Sequence, residues 1–229
     1  MPKIKEVFMR VDWVEERIYP TAKWRPWNNT KIYLPLTDDY KDVISWTTLS
    51  TTWTVDLTTE WGVKCTRLNW WRLYGLSSAI ITWNWARTLN FRFKYNSINT
   101  SEWWSAVSWW SESNYSFTSL WDNWGTAYSF SWYSASADIE SWTSLSNWVW
   151  YNMVATYDWS TLAIYLNWTL SWSKSVNLTT WSSDLYIWWR PSWSCIVNWY
   201  INNVIVENKA RTATEIEDYY KKTKWNYWL

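Results

Sequence analysis

The left half of "LAIYLNWTLSWSKSV" (Leu162–Val176) reads as a β-strand, and Asn167-Trp168 falls where a hairpin would turn. A tight type I′ hairpin needs positive φ at both central residues, which makes Asn-Gly the usual pair. A bulky residue at positive φ is a conformational outlier. The stretch therefore predicts a two-residue hairpin with tryptophan in a glycine position.

Composition makes the point general. The chain has 30 Trp and 3 Gly in 229 residues, where ordinary usage of roughly 7% would give about 16 Gly. Six tryptophans follow Asn (Trp70, Trp85, Trp124, Trp148, Trp168, Trp199) and two follow Asp (Trp13, Trp159). Nine more follow Ser or Thr, among them Trp46, Trp53, Trp142, Trp172 and Trp181. Asn-Gly, Asp-Gly and Ser-Gly are the turn pairs that physics favours. A gene whose UGA codons mean glycine, translated with UGA as tryptophan, yields this pattern. A genuinely tryptophan-rich chain is the alternative, and the codons at Trp159, Trp168 and Trp199 separate the two.

The length suits one all-β domain with a short extension and allows a substantial core. A net charge of +1 gives no strong pull toward nucleic acid or an anionic membrane. No apolar run reaches the roughly 18 residues of a membrane-spanning helix. "MPKIKEVFMR" has lysines but no apolar core segment, so it does not read as a signal peptide. Location outside the cell or on a virion surface is expected, by a route such as virion release. Cys65 and Cys195 lack metal-site spacing, which leaves a disulfide and two separate buried thiols both open. The chain has no histidine, so the commonest general base and metal ligand is missing.

Along the chain, residues 1–30 read as a β-hairpin turning at Asp12-Trp13, then a linker, "AKWRPWNNT". Within it Trp24 is a plausible true tryptophan and Trp27, after proline, is ambiguous. From Lys31 short runs rich in Val, Ile, Tyr, Phe and Thr recur between turn signals. These include "GVKCTRLN", "TLNFRFKYN", "VWYNMVATYD", "DLYIWW" and "WYINNVIVEN". That texture predicts a β-sandwich or barrel. "RTATEIEDYYKKTK" differs: Thr212 and Glu215 form a capping box, and Ile216, Tyr219 and Tyr220 one apolar stripe. A short C-terminal helix is predicted.

"NWVWYNMVATYDWSTLAIYLNWTLSWSKS" resembles the central motif of laminin-G-like, concanavalin A-like jelly-roll domains, through Trp148, Trp150, Val154, Ala155, Tyr157, Asp158, Trp159, Tyr165, Asn167 and Trp168. The departures fall mainly where that motif has glycine. "DLYIWWRPSW" is similar to the later Leu-x-Ile-Gly-Gly strand, and "NWYINNVIVENKARTATEIEDYY" to the closing strand and helix. The resemblance covers about residues 31–222 and implies an all-β, two-sheet jelly-roll sandwich spanning 31–229, with Trp150 as a core tryptophan. It also implies glycan or surface-protein partners bound at rim loops.

The expected ligand rim is Asp122 and Asn123 in "LWDNWGT" with Arg190 in "WWRPSW". Calcium, which needs several oxygen ligands, is left unassigned, and no metal or other cofactor is expected. Some folds of this kind are glucanases with carboxylates two apart on one strand. Asp138 and Glu140 in "ADIES" have that spacing but read as a solvated turn, so no catalytic residue is assigned. A non-enzymatic binding module is the leading expectation. The alternatives are an attachment protein of a phage tail or appendage, held to the virion through residues 1–30, and more distantly a glycoside hydrolase. Neither nucleic acid nor a membrane span is expected.

Overall fold

The computed structural model describes residues 29–51, 55–68, 73–79, 81, 85–95, 105–109, 117–122, 128–132, 139–141, 145–178, 184–189 and 199–223. The expected N-terminal hairpin lies outside them. In chain order the strands are β1 (Thr30–Leu34), β2 (Ser50–Thr51), β3 (Asp56–Glu60), β4 (Val63–Leu68), β5 (Leu73–Gly75), β6 (Arg87–Tyr95), β7 (Ser105–Trp109) and β8 (Phe117–Asp122). Then come β9 (Tyr128–Trp132), β10 (Ile139–Ser141), β11 (Tyr151–Tyr157), β12 (Thr161–Leu166), β13 (Thr169–Ser175), β14 (Leu185–Trp189), β15 (Trp199–Glu207) and helix α1 (Ala213–Thr223). They form two antiparallel sheets, β13-β12-β11-β6-β15-β4-β3 with β1 also on β15, and β10-β9-β8-β7-β14-β5-β2. This is the sandwich with a C-terminal helix that the sequence predicts.

Alternation builds the core. Leu89, Phe91 and Phe93 of β6 face inward with Met153 and Ala155 of β11, and meet Val107, Leu185 and Ile187 of the smaller sheet. Phe93 stacks on Tyr151 at 5.7 Å and on Trp199 at 5.3 Å between ring centroids. In β15 the inward residues are Trp199 and Ile201, then Val204 and Val206. The pairing with β6 shifts between Asn202 and Ile205, and Asn203 takes φ 53°. The extra residue of this bulge switches the phase, so both halves of the strand keep their apolar side inside.

The turns have the geometry predicted for Asn167-Trp168. Leu166 pairs with Thr169 across Asn167 (φ 49°) and Trp168 (φ 76°), and Glu60 pairs with Val63 across Trp61 (φ 53°) and Gly62 (φ 81°). Both are two-residue loops with positive φ at each central residue, as type I′ requires. Trp46, Trp148 and Trp159 also have positive φ, at 61°, 64° and 77°. The Trp168 ring stays 39% exposed and lies against Tyr220 at 4.4 Å.

Other tryptophan expectations need correction. Trp199, grouped above with turn residues, is fully buried in β15, because the strand begins there and points it at Phe93. Trp172 follows Ser171 but sits mid-strand in β13, opposite Ile164. Trp150 is half-buried rather than a core residue, since β11 begins only at Tyr151. Trp13, Trp24, Trp27, Trp53, Trp70, Trp124, Trp142 and Trp181 lie outside the described residues.

The helix forms as its capping box dictates. The Thr212 amide donates to the Glu215 carboxylate at 2.9 Å, and the Glu215 amide donates to Thr212 Oγ1 at 3.2 Å. Ile216 packs against Val154, Ala163 and Tyr165 on the outer face of the larger sheet. Glu207 and Arg211 form a buried ion pair ahead of the helix, with Nη2 to Oε1 at 2.9 Å.

Candidate functional site

Of the expected ligand rim, Asp122 ends β8 opposite Tyr128, while Asn123 and Arg190 lie outside the described residues. β8 and β14 both run antiparallel to β7, the strand between them. They therefore end at the same end of the smaller sheet, with Asp122 and Trp189 as their last residues. Asp138 is likewise outside the described residues. Glu140 is not in a turn: Ile139–Ser141 pairs with β9 as an edge strand, with Glu140 opposite Ser129. The alternation in "ADIES" was short enough to read either way. Cys65 is a buried free thiol, pushed up to about 12 by burial first and then by Glu60. Cys195 lies outside the described residues. Among the described residues no cluster of His, Cys, Asp or Glu could hold a metal ion.

A cleft of about 790 Å³ opens at one end of the larger sheet. Asn29 and Lys31 come from the start of β1, Asp158 and Trp159 from the β11–β12 turn, and Asn208 and Lys209 from the end of β15. Trp85, ahead of β6, stands exposed at the cleft. The walls are tied together from below. The Asn208 amide donates to the Asn29 carbonyl at 3.1 Å. The Thr88 hydroxyl donates to the Lys209 carbonyl at 2.6 Å and accepts from the Arg211 amide at 3.0 Å. Arg87 donates through Nε to the Trp85 carbonyl and through Nη1 to the Ile81 carbonyl, each at 2.9 Å. Burial lowers the Arg87 guanidinium to about 10, yet it remains a cation at neutral pH.

Asp158 is committed to structure. Its Oδ1 accepts from the Thr161 amide at 2.7 Å, the Ser160 amide at 3.1 Å and the Ser160 hydroxyl at 3.0 Å. Burial pushes this carboxyl up, but those hydrogen bonds outweigh it and hold it below the ordinary value. A carboxylate so stabilised is a poor proton donor. What the cleft offers is an aromatic face, an exposed ammonium and amide groups. Those groups bind by stacking and hydrogen bonding.

Sequence reasoning missed a second polar surface. On β6 the residues facing away from the core are Thr88, Asn90, Arg92 and Lys94, and all are buried. Every-second-residue polarity normally marks a solvent face, so nothing in "RTLNFRFKY" signals their burial. Lys94 lies opposite Tyr200, and Arg92 lies between Asn202 and Asn152 on the neighbouring strands. Lys94 Nζ is 2.6 Å from Glu60 Oε1 and sits below the Trp61 ring (4.1 Å) and the Trp148 ring (5.1 Å).

No protein-family profile matches the chain, and no curated protein does. Solved structures match in fold. The binding domain of Paraclostridial Mosquitocidal Protein 1 aligns at TM-score 0.69 and 14% identity, over 85% of this chain and 52% of that one. Domain 4 of AbnA, a GH43 extracellular arabinanase from Geobacillus stearothermophilus solved with arabinotriose, aligns at TM-score 0.67 and 13% identity, over 83% and 97%. A botulinum neurotoxin type C structure, described by its interaction with two ganglioside molecules, aligns at TM-score 0.70 and 10% identity, over 85% and 51%. The chain thus spans about half of the toxin structures and nearly all of the arabinanase domain. These likenesses show a β-sandwich fold.

Proposed function

We propose that this chain is a non-enzymatic, laminin-G-like binding module that recognises a glycan at the end cleft. The observation that carries the reading is the composition of that cleft: the exposed Trp85 ring beside Lys31, Asn29 and Asn208, with its one carboxylate, Asp158, held in a turn. Aromatic faces and amides are how sugars are gripped, through ring stacking and paired hydrogen bonds. That the structural neighbours include a domain bound to arabinotriose and a toxin that engages gangliosides supports it. An extracellular setting follows from such a ligand. The test is a glycan array probed with the full chain. Trp85→Ala and Lys31→Ala should each weaken the retained glycan about tenfold, while Asp158→Asn should not create or abolish hydrolysis. Hydrolysis of an array glycan would refute the reading.

We further propose that tryptophans 46, 61, 148, 159 and 168 stand at glycine positions, from a gene whose UGA codons mean glycine. Tryptophan is 30 of the 229 residues, yet supplies five of the nine non-glycine positive-φ residues described. Trp85 is not among them, so the stacking ring of the cleft stands apart from this group. Glycine at 159 would widen the cleft and leave its polar walls in place. Sequencing the codons tests this: UGG at positions 61, 148, 159 and 168 would end it.

A further inference from the structure

We propose that Arg87 and Thr88, the first two residues of β6, are the positioning residues of the end cleft: Arg87 sets the stacking ring of Trp85, and Thr88 sets the wall that carries Asn208. This rests on the glycan reading of that cleft. Both side chains are buried, at 2% and 0% exposure, and neither is among the residues that line the cleft. The groups that would meet a sugar have the opposite character. Trp85 is 61% exposed, and Asn208 is exposed as well. An exposed side chain has little packing to hold it, so its placement must come from the main chain that carries it. A binding site gains affinity when its groups are held in place before the ligand arrives.

Strand alternation divides the task. Arg87 lies two residues from Leu89 on the core face of β6, opposite Tyr157 on β11. Its guanidinium donates to the Trp85 and Ile81 carbonyls at 2.9 Å each, and its central carbon is 5.7 Å from the centre of the Tyr157 ring. The Tyr157 hydroxyl accepts from the Leu178 amide at 3.1 Å, which fixes that ring, and the chain then enters the cleft at Asp158. One planar fork thus ties Trp85 to the turn that supplies Asp158. Lysine, a point charge on a flexible stem, lacks the fork that spans two carbonyls and stacks on a ring. Thr88 points the other way. Its hydroxyl donates to the Lys209 carbonyl and accepts from the Arg211 amide, so it holds the link that follows Asn208 at two points. Valine has nearly the same shape and makes neither bond, while serine keeps both.

The test begins on the full chain without a ligand, by hydrogen exchange read on peptides. Thr88→Val should raise uptake at least about threefold in the peptide carrying Arg211, whose amide loses its acceptor, and Thr88→Ser should not. Arg87→Lys, or Arg87→Gln should the former not fold by circular dichroism, should raise uptake in the peptide carrying Trp85 and leave the Arg211 peptide unchanged. Unchanged exchange in both peptides, or equal rises from Thr88→Val and Thr88→Ser, would overturn the positioning claim. Calorimetric titration with arabinotriose and with sialyllactose reads the consequence. For whichever sugar binds, Arg87→Lys and Thr88→Val should each weaken binding about tenfold, and Thr88→Ser should not. In a Trp85→Ala background Arg87→Lys should cost nothing further, while Thr88→Val should cost as much as before. An equal loss from Arg87→Lys in both backgrounds would overturn its action through Trp85. Saturable binding of neither sugar to the unsubstituted chain would count against the glycan reading of the cleft, and the exchange results then decide the positioning claim by themselves.

Discussion

Trp168 and Trp199 make opposite demands on their surroundings. At φ 76° the Trp168 backbone carries a strain that glycine lacks, about 1–2 kcal/mol for an L-residue, and its ring, 39% exposed, lies against Tyr220. Trp199 fills the core on Phe93. Trp168→Gly should therefore leave the melting temperature unchanged or raise it by a few degrees, while Trp199→Gly should cost about 3–5 kcal/mol, read in chemical denaturation. A large loss from the first would show that the ring matters more than the backbone. Cys65 gives a second residue-level prediction. Its thiol, raised to about 12 by burial, should resist alkylation at pH 8 in the folded chain and react on unfolding, as read on the Cys65 peptide. Which tryptophans follow turn residues was legible from their neighbours. Which of those sit at positive φ was not: Asn198-Trp199 and Asn167-Trp168 look alike in sequence, and only strand pairing separates them.

At the scale of elements, the C-terminal helix was readable because its signals are local. Thr212 and Glu215 lie three apart, and their hydrogen bonds form as the capping box predicts. Thr212→Ala should cost about 1 kcal/mol, or about 2–4 °C in melting temperature for a chain of this size. The cap also sets a pH dependence. Burial raises the Glu215 carboxyl, but hydrogen bonds from Lys209 and Thr212 outweigh it and bring the group below its ordinary 4.5. Its contribution is thus present above pH 4.5 and lost as pH falls through the lowered folded value. Glu215→Gln should flatten that part of the acid-unfolding curve; an unchanged curve would contradict the assignment. The bulge of β15 was less legible. The inward positions 199, 201, 204 and 206 break the two-residue period, and only the pairing with β6 shows that Asn203 takes up the extra step. β10 was misread because three residues in a strand carry too little pattern to outweigh polar neighbours.

For the molecule as a whole, the sandwich was legible from many short runs at near-regular spacing, and its sheet order was not. Nor was the end cleft, whose walls come from residues 29–31, 85–86, 158–159 and 208–210 and meet only through the pairing of β1, β6 and β11 with their neighbours. Among the described residues no helix is long and apolar enough to cross a membrane. The proposed site turns in part on the identity of a left-handed tryptophan, since residue 159 walls the cleft. The most direct measurement is the mass of the peptide spanning residues 162–176, taken from the protein as its native organism makes it. Glycine at 168 is the predicted result. Tryptophan at that position in the native protein would contradict the account.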